Sequence, residues 1–157
     1  MRAVVQRVSR ASVIVTGDVV GDIGRGIVVL IGVERGDDRG DVDAIVDKIA
    51  SMRLFPGGGS AQQKKSDFER SVGEIDGEVL VVSQFTLLAD IRRGRRPSFT
   101  AAAPPEQSAP LVELAIERFE SHGLTTASGV FGAAMRVELV NDGPVTIVVE
   151  TAVGKVR

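Results

Sequence analysis

The amino-acid sequence predicts one α+β domain over residues 1–157, a mostly antiparallel, barrel-like sheet with two main helices packed against it. Three observations predict it. Four short runs rich in Val and Ile fall within the first 33 residues, separated by turn residues. Two later stretches repeat apolar residues at helical spacing, and two more β-branched runs close the chain. No internal repeat, low-complexity tract or domain linker interrupts this pattern.

Residues 2–8 and 12–16 are the first two β-branched runs. Val15-Thr16-Gly17-Asp18-Val19 reads as a hairpin turn, because Gly17 takes the positive φ that a two-residue turn demands. Residues 19–23 return, Gly24-Arg25-Gly26 turns again, and residues 27–33 are apolar on both faces, as a central buried strand should be. After a charged loop, Val42, Ile45, Val46, Ile49 and Met52 mark a helix with Asp41 as its expected N-cap. Phe55-Pro56-Gly57 stops it and opens a long loop reaching to about Val72.

Residues 79–85 form the next buried strand. A second helix carries Leu111, Leu114, Ala115, Phe119 and His122 on one stripe. Proline suits the first turn of a helix and not its middle, so this helix is expected to start near Pro110. Gly123 is a suitable residue to end it. Residues 135–140 and 145–150 are the last strands, joined by Asn141-Asp142-Gly143-Pro144 as a turn.

Composition narrows the function. Apolar residues make up 43% and charged residues 25%, which is ordinary for a globular protein. No apolar run approaches the roughly 18 residues of a membrane span, and the start lacks the pattern of a signal peptide. A cytoplasmic protein without membrane association is expected. The absence of Cys removes disulfides, thiolate nucleophiles and zinc–cysteine sites. No acidic cluster has metal-ligand spacing, so neither metal nor cofactor is expected. Six Phe with no Trp or Tyr argue against base-stacking rows, and a net charge of −2 argues against a protein that coats nucleic acid.

The polar run Ser83-Gln84-Phe85-Thr86 follows directly on a buried strand. Such a strand end holds groups rigidly and leaves backbone N–H groups available, as an oxyanion-stabilising site requires. It equally fits a strand end capped by its own hydroxyls and amide. Asn141-Asp142-Gly143-Pro144 suits a β-turn, with a Gly-Pro bond of the kind that is cis in about 5–6% of cases. Arg92, Arg93, Arg95 and Arg96 place four guanidinium groups in five residues, either a phosphate-binding patch or a solvated charge run. Lys64 and Lys65 would extend such a patch. His122 suits packing or a helix C-terminus better than catalysis. Triads of Ser83 or Thr86 with His122 and Asp142 find no support in the spacing, and there is no Gly-x-Ser-x-Gly elbow.

The segments Val4-Val5-Gln6-Arg7-Val8, Ser83-Gln84-Phe85-Thr86-Leu87, Gly94-Arg95-Arg96-Pro97-Ser98-Phe99, Gly129-Val130-Phe131-Gly132-Ala133 and Asn141-Asp142-Gly143-Pro144-Val145-Thr146 together resemble the D-aminoacyl-tRNA deacylase family, in the family's order and over nearly the whole chain. The chain departs from the family pattern at residues 66–70, where a Lys-Met-Asn-like run is usual, and at Leu88, where Tyr is common.

The resemblance implies a homodimer that hydrolyses the ester joining a D-amino acid to the 3′-terminal ribose of tRNA, with glycine mischarged on tRNA as a related substrate. It implies that Gly143 and Pro144 form a Gly-cisPro motif entering the partner subunit's active site to exclude L side chains. Backbone N–H groups of Phe85 and Thr86 would stabilise the oxyanion. Water would attack with help from the ribose 2′-hydroxyl, and Ser83 and Gln84 would complete the site. Thr86 as a covalent nucleophile is the competing version. The expected partner is aminoacyl-tRNA, met by Arg92, Arg93, Arg95 and Arg96, and not DNA. A Ser–His hydrolase and a non-catalytic RNA-binding domain are the alternatives.

Overall fold

The computed structural model describes residues 1–57 and 66–157. Its elements in chain order are β1 (Arg2–Val15), β2 (Asp18–Ile23), β3 (Gly26–Gly32), α1 (Arg39–Ser51), β4 (Glu78–Ser83), α2 (Pro105–Ser121), β5 (Thr125–Ser128), β6 (Arg136–Ala152) and β7 (Lys155–Val156). They form one mixed sheet in the order β5-β4-β3-β1-β6-β7, with β2 also paired to β1. The expected α+β class and two helices are present. The β3–β4 and β4–β5 pairs are parallel and the others antiparallel.

Two expected breaks between strands, one of them the turn expected at Asn141–Pro144, are instead bulged strand. Residues 2–8 and 12–15 belong to the single strand β1, which ends one residue earlier than expected and pairs with β3 through its first half and with β2 through its second. Residues 136–140 and 145–150 likewise fall in the single strand β6, which starts one residue later than expected, because β1 is long enough to pair with both halves. The register runs from Gln6↔Thr146 to Val8↔Asn141, two steps on β1 against five on β6. The four residues Asp142, Gly143, Pro144 and Val145 therefore stand opposite the single residue Arg7, a bulge with three residues in excess.

Both helix starts differ from expectation. Asp38 is the N-cap of α1, and Asp41 is its N3 partner in a reciprocal capping box. Helix α2 begins at Pro105, with Pro110 inside it. Pro110 is exposed, so water can satisfy the Glu106 carbonyl that its missing N–H leaves free. Gly123 has φ +77°, as a helix-ending glycine should. The four small residues of β5, three of them polar, gave no strand signal; their parallel pairing with β4 makes them one.

The curl of the sheet creates two cores. Ile27, Val29, Ile31, Val79 and Val81 face α1 and α2, where they meet Val42, Ile45, Ile49, Ala115 and Phe119. The alternate residues Val28, Leu80 and Val82 face inward, with Val8, Val13 and Ile23. A Cβ at Gly21 of β2 would lie 2.6 Å from the Ser128 carbonyl oxygen of β5. Strands far apart in sheet order thus nearly touch, and the sheet rolls toward a barrel. The carboxyl ends of the parallel strands β3 and β4 emerge beside the start of α2, the position at which parallel sheets commonly bind ligands.

Candidate active site

Strand β4 ends in a direct anchor to its neighbour, the Gln84 N–H donating to the Ile31 carbonyl at 2.7 Å. The chain then tightens into a 3-10 turn, Phe85–Leu88. Gly32 makes room for it, since a Cβ there would lie 2.9 Å from the Gln84 oxygen and 3.4 Å from the Leu87 Cβ. Inside the turn the Leu87 N–H donates to Gln84 and the Ala89 N–H to Thr86. The N–H groups of Phe85 and Thr86 have no hydrogen-bond partner among the described residues, as the first donors of a helical turn should not.

A cavity of about 410 Å³ opens beside the first of these donors: Phe85 lines it, and Thr86 stands one residue further along the turn. Ser83, Gln84 and Phe85 line it from the sheet, Ser108 and Val112 from α2, and Phe99, Phe131 and Gly132 from the loops. Phe85 and Phe99 meet edge to face with ring centroids 5.1 Å apart. The cavity is mostly apolar, with the Ser83 hydroxyl and Gln84 among its few polar groups, as small-molecule sites tend to be. The Gln84 side-chain amide donates to the Thr86 hydroxyl. The structure therefore brings Ser83, Gln84, Phe85 and Thr86 together in one turn. Phe131, Phe99 and Ser108 had no role in the sequence reading. The segment holding Phe131 was legible only as resemblance, and two apolar loop residues carry no chemical signal of their own.

Gly143 and Pro144 stand elsewhere in the chain. Ser83 is level with Ile31 and through it with Ala3, whereas the bulge faces Arg7. That is four residues along β1, about 13 Å, and three strand spacings across the sheet, about 14 Å. Neither residue lines the cavity of its own chain. The peptide bond between them is cis, and both residues are exposed.

Arg7 holds this bulge. It occupies a position that alternates with Ala3 and Val5 on the buried face of β1, with only 4% of its surface exposed. Its Nε donates to the Asp142 carbonyl at 3.0 Å, and its Nη1 donates to the carbonyls of Leu54 at 2.6 Å and Asp67 at 3.3 Å. A charged residue on an apolar period-2 face was the sequence signal for this contact, and it had been given no role.

His122 is far from the cavity. It caps the C-terminal end of α2 and bonds Asp47 Oδ1 at 2.8 Å, beside Arg118 on the same carboxylate. The cavity touches α2 at Ser108 and Val112, and fourteen residues of helix separate Ser108 from His122, about 21 Å. A triad of Ser83 or Thr86 with His122 and Asp142 is thus ruled out by distance.

The four arginines lie on a loop closed by the Asp90↔Ser98 bridge, with Gly94 at φ +70°. Arg92 folds back onto Asp90 through two guanidinium contacts at 2.9 and 2.7 Å. These hydrogen bonds hold the Asp90 carboxyl far below the usual carboxylate range and raise Arg92 in turn. Arg93, Arg95 and Arg96 are exposed, with no carboxylate at ion-pair distance among the described residues. Phe99 follows directly on the closing residue Ser98 and enters the cavity wall, so the base of the basic loop adjoins the cavity. Lys64 and Lys65 lie outside the described residues. Among the described residues no three His, Asp or Glu side chains are grouped to hold a metal, and no helix is long and apolar enough to cross a membrane.

The family model described as D-Tyr-tRNA(Tyr) deacylase matches residues 4–150. A D-aminoacyl-tRNA deacylase of Roseiflexus castenholzii is 52% identical over 153 residues, covering 98% of this chain and 94% of that one. Another, of Desulfitobacterium hafniense, is 51% identical over 151 residues, covering 96% and 97%. Among solved structures, one described as c-Myc DNA Unwinding Element Binding Protein superposes with a TM-score of 0.87 at 39% identity, over 97% of this chain and 99% of that chain. A structure described as a probable eukaryotic D-amino acid tRNA deacylase superposes with a TM-score of 0.78 over 94% and 97%; at 16% identity it speaks for the fold alone.

Proposed function

The chain belongs to the D-aminoacyl-tRNA deacylase family, and we propose that its cavity receives the 3′-terminal aminoacyl-adenosine of tRNA while water cleaves the ester. Water adds to the ester carbonyl carbon, the carbonyl oxygen takes negative charge, and the ribose oxygen leaves with a proton. The products are the D-amino acid and free tRNA. The observation that carries this reading is the pair of adjacent unengaged N–H groups at Phe85 and Thr86, the first of them in the wall of a largely apolar cavity. Donors fixed by a rigid turn stabilise the oxyanion without reorganising, and one such donor is worth on the order of 10²–10³ in rate.

An aminoacyl ester is already activated, so positioning and electrostatics suffice and the ribose 2′-hydroxyl can assist the attacking water. Ser83 and Gln84 shape the site, and Gln84 also fixes the Thr86 side chain. The covalent version is less well supported: Thr86 accepts a hydrogen bond from Gln84, and the single His lies at the far end of α2. Thr86→Ala should retain most activity. Complete loss in a folded variant would point to the hydroxyl instead.

Selectivity is read as exclusion. Gly143 and Pro144 are to meet the substrate's α-amino group and occupy the space an L side chain needs, with glycine on tRNA accepted because it has none. Their separation from Ser83–Thr86 within one chain supports a homodimer in which each subunit lends its bulge to the other. Arg93, Arg95 and Arg96, and Arg92 to a smaller degree, would meet tRNA phosphates. This reading places the protein in the cytoplasm, with charged tRNA as its partner and not DNA.

The deciding experiment compares hydrolysis of matched D- and L-aminoacyl-tRNA, with sedimentation of the protein alone. Fast release from the D form by a dimer is expected. Equal rates on both forms, or none on either, would sink the reading.

A further inference from the structure

We propose that Arg2 is a positioning residue for this deacylation, holding the 3-10 turn so that the Phe85 and Thr86 N–H groups keep their aim. The inference rests on the functional reading above and adds a residue to it. Arg2 pairs in register with Gly32 on one side and Glu150 on the other, which places it at the end of the sheet beneath the turn. The front of the turn is tied to the sheet by Gln84 and Ile31. Its back is tied by Arg2, whose Nη1 donates to the Leu87 carbonyl at 2.7 Å. Among the described residues, no other side chain bonds the backbone of residues 85–88.

Arg2 is itself held, because its Nε donates to the Glu150 carboxylate across the β1–β6 pair. The planar guanidinium makes both contacts in a fixed fork, which a lysine ammonium on its flexible stem reproduces poorly. A turn anchored at both ends cannot pivot on its first residue. Without Arg2 it would swing about the Gln84 anchor, and the two donors would turn with it. Sub-ångström to ångström displacements of this kind cost up to about a hundredfold in rate.

The test compares the full chain with Arg2→Ala, Arg2→Lys and Glu150→Ala. It measures steady-state hydrolysis of D-aminoacyl-tRNA, thermal melting, and amide hydrogen exchange across residues 84–90. For Arg2→Ala, kcat should fall about ten- to a hundredfold with KM held within about threefold. Exchange in the turn should quicken while the melting temperature barely moves. Arg2→Lys should recover part of kcat, and Glu150→Ala should fall between the parent and Arg2→Ala. A kcat within about twofold of the parent, a loss confined to KM, or unchanged exchange in the turn would each overturn the proposal. A parent inactive on D-aminoacyl-tRNA would instead overturn the functional reading, and the exchange result would still report separately on the tether.

Discussion

Arg7 grips Asp142 at two points: its Nε donates to the Asp142 carbonyl at 3.0 Å and lies 3.2 Å from the carboxylate. The same guanidinium satisfies the Leu54 carbonyl at 2.6 Å, so one buried cation joins the end of the first helical segment to the bulge holding Gly143 and Pro144. The charge is tolerated because several oxygens surround it. Taking the cation away leaves those oxygens unpaired.

Arg7→Ala should therefore destabilise the fold by about 2–4 kcal/mol, close to the range for breaking a buried ion pair. In a domain of this size that is a fall of about 5–15 °C in melting temperature. Arg7→Lys keeps the charge and loses the fork, so discrimination between D- and L-aminoacyl-tRNA should weaken in a folded enzyme. Unchanged melting in Arg7→Ala, with unchanged selectivity in Arg7→Lys, would show that the bulge holds its place without this cation.

Gly32 gives a second prediction, on activity more than stability. A Cβ at this position meets the backbone oxygen of Gln84 at 2.9 Å, and a backbone atom cannot rotate away as a side-chain tip can. Gly32→Ala should push the turn outward, at an overpacking cost of about 1–3 kcal/mol. The Phe85 and Thr86 N–H groups move with the turn, so if they stabilise the oxyanion as proposed, kcat should fall by about tenfold or more. Kinetics and melting measured together would separate the two effects. A stable Gly32→Ala variant with parental kcat would mean that the turn's exact seat is unimportant.

Strands β3 and β4 and both helices were readable from the sequence because apolar pattern and burial agree along them: Ile27 to Gly32 in β3 and Val42 to Ile49 in α1 are examples. The polar run Ser83-Gln84-Phe85-Thr86 stood out too, since it puts polar residues where an apolar strand should continue, and three of its residues, Ser83, Gln84 and Phe85, line the cavity. The bulge was not readable. Asn141 to Pro144 has the composition of a turn, and only the length of β1, which pairs with β6 on both sides of it, makes it a bulge. The helix starts slipped for a similar reason. An exposed Pro110 leaves a carbonyl to water, and Asp38 and Asp41 are both suitable caps until the backbone decides between them.

The Asp47–His122 pair predicts a pH effect on stability without one on catalysis. Burial pushes the Asp47 carboxyl up, but the His122 hydrogen bond and the charge and hydrogen bond of Arg118 outweigh it, leaving the group below its ordinary value of 3.8. A depressed folded value stabilises the protein above the unfolded value, and the contribution is lost as pH falls through the folded one. About half of the Asp47 side chain is exposed, so the contribution at neutral pH should stay below about 1 kcal/mol. Urea denaturation of Asp47→Asn should show that deficit at pH 7 and approach the parent as pH drops below the ordinary carboxylate value. A deficit independent of pH would exclude the ionic explanation. His122→Ala should leave deacylation within about twofold of the parent, because the ring lies some 21 Å from Ser108 along the helix. Abolished activity in a folded His122→Ala would restore the Ser–His hydrolase.

The arginine loop separates four similar charges into two kinds. Arg92 spends its guanidinium on Asp90 through paired contacts, while Arg93, Arg95 and Arg96 face solvent. If these residues neutralise tRNA phosphates, each free arginine releases condensed counterions and steepens the salt dependence of binding by about 0.7–0.9 in a log–log plot. Replacing Arg93, Arg95 and Arg96 by Ala one at a time should raise KM and flatten that slope by up to about one per residue. Arg92→Ala should do less, since it frees the Asp90 carboxylate as it removes a cation already paired. The measurement is KM for D-aminoacyl-tRNA across a salt series, with a D-aminoacyl-adenosine carrying no tRNA body as the control. Four equal effects would contradict the pairing with Asp90. An undiminished effect on the adenosine ester would place these arginines at the reacting end of the substrate and not along the tRNA.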